Sequence, residues 1–139
     1  LPLTRSLLKS TQETVCALDG PFPQRVHLLG GATHGVFLLS STWTVRSTQA
    51  VSHQCKGWEQ FTFNVIKRLS KEIEGLVFML WGGFAKQKIK FIDTEKHLVL
   101  TSGHPSPLSA NRGYWFGNKH FSQCNAYLKS LDKAPIQWG

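Results

Sequence analysis

Leu76-Val77-Phe78-Met79-Leu80-Trp81 is a run of six uninterrupted apolar residues, closed by Gly82-Gly83. It has no polar alternation, so both faces of the strand it forms need cover, as in a parallel sheet flanked by helices. Immediately upstream, Trp58, Phe61, Val65, Leu69 and Ile73 recur at three- and four-residue intervals from Gly57 onward. That spacing predicts a helix with this stripe in the core, and Gly75 is its natural C-terminal stop. Downstream, the glycine pair turns the chain into a basic helix from Phe84 to about Phe91. His97 to Thr101 then reads as a short strand.

Further out the pattern repeats. Gly35 opens Val36-Phe37-Leu38-Leu39, an apolar run expected to be a strand buried on both faces. A last helix is expected from about Asn118 to Leu131, on Phe121, Cys124, Leu128 and Leu131. Ser6 to Leu18 and Arg25 to Thr33 are expected to be helical, separated by Gly20-Pro21-Phe22-Pro23, where proline breaks the helix. Thr42 to Lys56 is polar and reads as a loop. Strands alternating with helices predict an α/β fold, a three-layer α/β/α arrangement around a short parallel sheet. In such folds the ligand crevice lies at the C-terminal ends of the strands. Ser40 to Arg46, Gly82-Gly83 and Gly103 to Gly113 therefore converge on the candidate site.

Composition narrows the class. The 139 residues are 41% hydrophobic and 17% charged, which excludes a disordered tail, a collagen-like fibre and a coiled coil. Sixteen basic residues face eight acidic ones, a net charge of +8. The excess is uneven, +2 over residues 1–60 and +6 over 61–139, and favours a polyanionic partner. Cys16, Cys55 and Cys124 are odd in number and form no CxxC pair, so reduced thiols in an intracellular compartment are expected. They read as small buried hydrophobes. His27, His34, His53, His97 and His120 share no ligand spacing, and neither metal nor cofactor is expected. No apolar run is long enough for a membrane span, and no membrane partner is expected.

The chemistry concentrates in His104-Pro-Ser-Pro-Leu-Ser109, followed by Ala110-Asn111-Arg112-Gly113. A histidine just past a strand end is a candidate acid, base or donor, although an isolated histidine is more often structural. Ser106, Ser109 and Arg112 suit phosphate oxygens. Leu108 is either tucked into the core or a wedge for a base stack. Lys86, Lys88 and Lys90 read first as a solvated helix face, with a DNA contact as the second reading.

The string His104-Pro-Ser-Pro-Leu-Ser, with Arg112-Gly113 and Tyr114-Trp115 behind it, resembles the DNA-intercalation loop of family 1 uracil-DNA glycosylases. The resemblance extends through Leu76-Val-Phe-Met-Leu-Trp-Gly, Ala85-Lys-Gln-Lys, Gly57-Trp-Glu-Gln-Phe-Thr, Leu38-Leu39 with Thr44-Val45-Arg46, and Ala134-Pro-Ile-Gln-Trp. It is strong over 35–138 and weak over 1–34. It implies a single uracil-DNA glycosylase-like domain over 1–139, N-terminally incomplete and lacking one strand. The resemblance implies that His104 donates to the uracil carbonyl and stabilises the departing base, while Leu108 fills the space of the flipped nucleotide. Ser106 and Ser109, helped by Gly82 and Gly83 amides, would bind phosphates, and Arg112 would support the DNA surface. The implied substrate is uracil-containing DNA, single- or double-stranded, in base-excision repair. Acidic DNA-mimic inhibitor proteins are implied partners, and the nucleus or mitochondrion is the implied location in a eukaryote.

Two departures qualify the resemblance. The family's water-activating Gly-Gln-Asp-Pro-Tyr-His does not occur in these 139 residues. Ser40 stands where the family pocket has an asparagine. Its hydroxyl cannot match the donor-plus-acceptor pair of an amide. Gly83 likewise replaces a serine. Impaired excision is therefore expected, or a catalytically inactive relative that keeps DNA or protein binding.

Overall fold

The computed structural model describes residues 35–40, 57–106, 109–110 and 115–138. Helix α1 spans Trp58–Glu72, strand β1 Val77–Trp81 and helix α2 Gly83–Lys86, which runs into a 3-10 helix at Gln87–Phe91. Strand β2 spans Leu98–Ser102 and helix α3 His120–Ser130. The strands pair in parallel, in register from Val77 opposite Leu98 to Trp81 opposite Ser102. The fold is α/β, with the parallel pairing expected from the apolar strand runs. The helices expected over 6–18 and 25–33 lie outside the described residues.

Helix α1 stops where its sequence says it should. Gly75 takes φ +68°, and a Cβ there would lie 2.7 Å from Leu131 Cδ1 and 2.9 Å from Lys133 Nζ. Glycine is thus required by both conformation and space. Lys133 Nζ donates to the carbonyls of Glu74 and Gly75, tying the turn to the segment after α3.

The buried face of α1 corrects the expected stripe. Thr62, Ile66 and Ser70 are its buried residues, whereas Phe61 is 52% and Ile73 43% exposed. The reason is polar. Thr62 Oγ1 donates to the Ser40 carbonyl at 3.0 Å, and Ser70 Oγ accepts the Asp93 amide at 2.9 Å. These hydroxyls satisfy backbone groups of neighbouring connections, a demand that hydropathy does not register. Ile66 packs with Leu80 and Ile92 as the core, against Leu39, Phe78, Ala85 and Val99.

The doubly buried strand expected at Val36 to Leu39 is also corrected. Among the described residues the sheet has two strands, and residues 36–40 belong to neither. Phe37 is 63% and Leu38 51% exposed, while Leu39 alone of the run packs on the core. One side of the run meets the core, and among the described residues nothing buries the other.

His97 holds the sheet to α1. Its Nδ1 accepts the Leu76 amide at 3.1 Å, so Nε2 carries the proton and donates to the Ser70 carbonyl at 2.9 Å. The histidine is 4% exposed and purely structural. A second cluster lies where β1 ends. Trp81 packs edge-on to Trp115 at 4.7 Å between ring centroids, and Phe121 packs edge-on to Trp138 at 4.9 Å. Trp115 has no solvent exposure at all.

Candidate nucleic-acid interface

The site grows out of the two strand ends. Gly82 continues the ladder one step beyond β1 by donating its amide to the Ser102 carbonyl at 3.0 Å. It does so at φ 94°, ψ 165°, a conformation essentially restricted to glycine. A Cβ on Gly82 would stand 3.3 Å from His104 Cβ and 3.6 Å from Cδ2. The missing side chain is therefore the room in which His104 sits. Gly83 is different, because a Cβ there meets nothing within 4 Å.

His104 is oriented by its own loop. Its Nδ1 accepts the Ser106 amide at 3.0 Å, which assigns the neutral ring's proton to Nε2. The side chain remains exposed, yet the cover on one side desolvates the ring and holds its pKa below the ordinary value. Near neutral pH the arrangement is a fixed, uncharged N–H donor at the C-terminal edge of the sheet.

Beyond it the chain folds back at once. The Ser106 carbonyl accepts the amides of Ser109 and Ala110 at 2.9 and 2.8 Å. Ser106 Oγ lies 3.4 Å from Ser109 Oγ, so the two serines form one hydroxyl pair. Ala110, 1% exposed, anchors the turn. Leu108 and Arg112 lie outside the described residues. Ser40 stands exposed, its carbonyl held by Thr62 as described above.

One arrangement has no signal in the sequence. Trp81 Nε1 donates to His120 Nδ1 at 3.0 Å, and the His120 amide donates to Asn118 Oδ1 at 3.0 Å. Asn118 Nδ2 reaches Ser102 Oγ at 3.5 Å, and that hydroxyl donates to the Gly103 carbonyl at 2.9 Å. Both strand ends are thereby tied to the start of α3, just behind His104. In the sequence His120 is only a histidine without ligand spacing. Its partner lies 39 residues away, and no local pattern links them.

Among the described residues no group of three His, Cys, Asp or Glu side chains is placed to hold a metal ion. No described helix is long and apolar enough to cross a membrane. Cys124 is 2% exposed, and burial pushes its thiol up to about 11, which leaves it inert at neutral pH.

Known proteins are similar to this chain in sequence and fold. The family described as "Uracil DNA glycosylase superfamily" matches residues 5–129. The chain is 57% identical over 133 residues to the uracil-DNA glycosylase of Christiangramia forsetii, covering 96% of this chain and 60% of that protein. It is 54% identical over 138 residues to that of Flavobacterium johnsoniae, covering 99% of this chain and 62% of the relative. The chain thus spans about 60% of the length of these curated relatives. The crystal structure of mimivirus uracil-DNA glycosylase superposes with a TM-score of 0.87 at 27% identity, over 99% of this chain and 56% of that one. A tyrosine-to-leucine variant of mimivirus UNG in complex with UGI matches at 0.84 and 28% identity, over 99% and 57% of the two chains. The chain belongs to the uracil DNA glycosylase superfamily.

Proposed function

We propose that the protein recognises uracil in single- or double-stranded DNA and cleaves its N-glycosidic bond, and that these 139 residues supply the base-polarising donor and the loop that grips the backbone. One observation carries this reading: His104 is held as a neutral Nε2–H donor by the Ser106 amide and the Gly82 turn. Breaking an N-glycosidic bond builds negative charge on the leaving base. A donor fixed beside the base oxygen stabilises that charge more than it stabilises the bound substrate. Losing such a donor typically costs about 3–4 kcal/mol of barrier. A neutral ring serves because its proton is offered as a hydrogen bond without the desolvation cost of a cation.

The Ser106–Ser109 hydroxyl pair and the Gly83 amide suit phosphate oxygens on either side of the target nucleotide, whereas the Gly82 amide, expected from the sequence to help, is taken by the Ser102 carbonyl. Pinching the backbone there, with Leu108 as wedge and Arg112 supporting the DNA surface, offsets the few kcal/mol of unstacking. An inhibitor protein presenting carboxylates in place of phosphates would engage the same face, a reading supported by the mimivirus variants in complex with UGI.

The chemistry of water activation is a separate matter. No Gly-Gln-Asp-Pro-Tyr-His string occurs in the sequence, and Ser40 offers the base edge only a hydroxyl. The 139 residues by themselves are therefore proposed to bind uracil-containing DNA while excising little, with weakened discrimination between uracil and cytosine. A gel assay on a uracil-containing oligonucleotide tests this. Negligible cleavage is expected, in Ser40→Asn as well as in the parent chain. Cleavage at the rate of a full-length relative, or substantial recovery in Ser40→Asn alone, would overturn it.

A further inference from the structure

Between α1 and the 3-10 helix lies an open cleft of about 290 Å³, walled by Glu59 and Phe63 on one side and Lys88, Lys90 and Phe91 on the other. Phe63 and Phe91 meet edge-on at 4.3 Å and form its floor. Each ring carries an ammonium. Lys67 Nζ stands 5.8 Å from the Phe63 centroid, and Lys90 Nζ stands 5.0 Å from that of Phe91. Lys88 is half-buried in the cleft wall.

A lysine held against an aromatic face keeps its charge while losing part of its rotamer freedom. Less freedom then remains to be lost when an anion binds, so the pair is preorganised. Among the described residues the one ion pair is Arg68 with Glu72 on α1, so none of these three lysines has a carboxylate partner there. Lys88 and Lys90 against the single carboxylate of Glu59 leave the cleft net cationic, and Lys67, over the Phe63 ring, adds a further ammonium beside it.

Its position indicates what kind of anion. The chain leaves the strand-end edge at Gly82–Gly83 and reaches Lys88 within one short helix and the first turn of the 3-10 segment. At a rise of about 1.5–2 Å per residue those five steps span at most about 10 Å. A DNA strand carries a phosphate about every 3.4 Å of axis, so the cleft lies some three nucleotides from the edge. The Thr62–Ser40 bond holds the opening turns of α1 to Ser40, the residue proposed to meet the base edge. A backbone gripped at Ser106 and Ser109 is thus within reach of this second cationic surface.

We propose that Lys67, Lys88 and Lys90 form an accessory contact for the phosphate backbone of DNA, flanking the His104 loop and reading no sequence. This rests on the DNA-binding function proposed above. It assigns Lys88 and Lys90 of the basic segment a role beyond a solvated face, and adds Lys67 from α1.

The test compares the 139-residue chain with the triple variant Lys67→Gln, Lys88→Gln, Lys90→Gln, by fluorescence anisotropy across a potassium chloride series. Two probes are used, a short oligonucleotide filling only the His104 loop and a duplex long enough to overlie the cleft. A control variant, Lys71→Gln with Lys129→Gln, removes charge elsewhere, and circular dichroism melting monitors the fold. On the long duplex the salt slope should become shallower by about 0.9 for each phosphate no longer neutralised, or roughly 2–3 in the triple variant. Short-probe affinity should be unchanged, and the control should match the parent. An unchanged slope in the triple variant, equal loss on both probes, or the same loss in the control overturns the accessory contact. Should the triple variant unfold, Lys90→Gln alone should lower the slope by about 0.9, and no change would overturn the contact equally. A parent chain that binds neither probe refutes the DNA-binding function itself. Binding with an insensitive slope refutes only the cleft.

Discussion

Gly82 lies so close beneath His104 that a methyl group on its α-carbon would stand 3.3 Å from His104 Cβ. The imidazole therefore rests on the absence of a side chain as much as on the presence of a hydrogen bond.

Gly82→Ala should accordingly be damaging in two ways. The backbone at φ 94°, ψ 165° is strained for any L residue, at a cost of about 1–3 kcal/mol. The added methyl also pushes His104 away from its seat, weakening binding to uracil-containing DNA beyond the stability loss. Gly83→Ala is the contrast, since nothing occupies the space around its Cβ, and should stay within about 0.5 kcal/mol of the parent. Thermal denaturation and DNA titration of both variants check this. Equal behaviour of the two would contradict it.

The lowered pKa of His104 sets a pH dependence of definite sign. Partial burial favours the neutral ring, so the folded chain binds fewer protons there than the unfolded chain. The resulting contribution to stability is fully present above the ordinary histidine value of 6.5. It is lost as pH falls through that value toward the lowered one. Protonation at Nδ1 also removes the acceptor used by the Ser106 amide. In an NMR titration the His104 ring and the Ser106 amide should shift together, with a midpoint below that of free histidine. A midpoint at or above it would reject the assignment.

His97→Ala should destabilise the fold without touching the site. It strips partners from the Leu76 amide and the Ser70 carbonyl, and leaving such groups unmade costs about 1–3 kcal/mol each. Urea denaturation should show a loss of about 3 kcal/mol. A change below the error of the extrapolation would mean that water replaces the ring.

Trp81→Phe keeps most of the aromatic packing on Trp115 and deletes only the donor to His120. His120 is 3% exposed, so its Nδ1 would be left buried without that donor, at a cost of about 1–3 kcal/mol. The loss should appear in the melting curve, accompanied by weaker DNA binding because both strand ends are tied through this region. A variant as stable as the parent would show that the hydrogen bond contributes little.

How far the sequence reveals this fold depends on whether the decisive interaction is local. Leu76 to Trp81 announces a strand because six apolar residues admit few other placements, and Gly75 marks a helix end because its conformation excludes a side chain. The orientation of α1 escapes because Thr62 and Ser70 are buried by bonds to Ser40 and Asp93, 22 and 23 residues distant. Val36 to Leu39 misleads for the opposite reason, since apolar composition alone does not supply cover on both sides. At the site, His104, Ser106 and Ser109 are legible from one short string, and the structure brings the serine pair together. The space left by Gly82 becomes visible only once β1 and β2 stand side by side.

The ladder joins residues 21 apart throughout, Val77 with Leu98 to Trp81 with Ser102, and the His97 bond to Leu76 spans the same interval. Short loops close quickly and at little entropic cost. The stretch from α1 to β2 is therefore one locally connected unit, closed at modest entropic cost. Its amides should be among the slowest to exchange with solvent. The glycine and the histidine that meet at its edge inherit their alignment from this unit, so the candidate site is only as firmly held as the stretch that carries it.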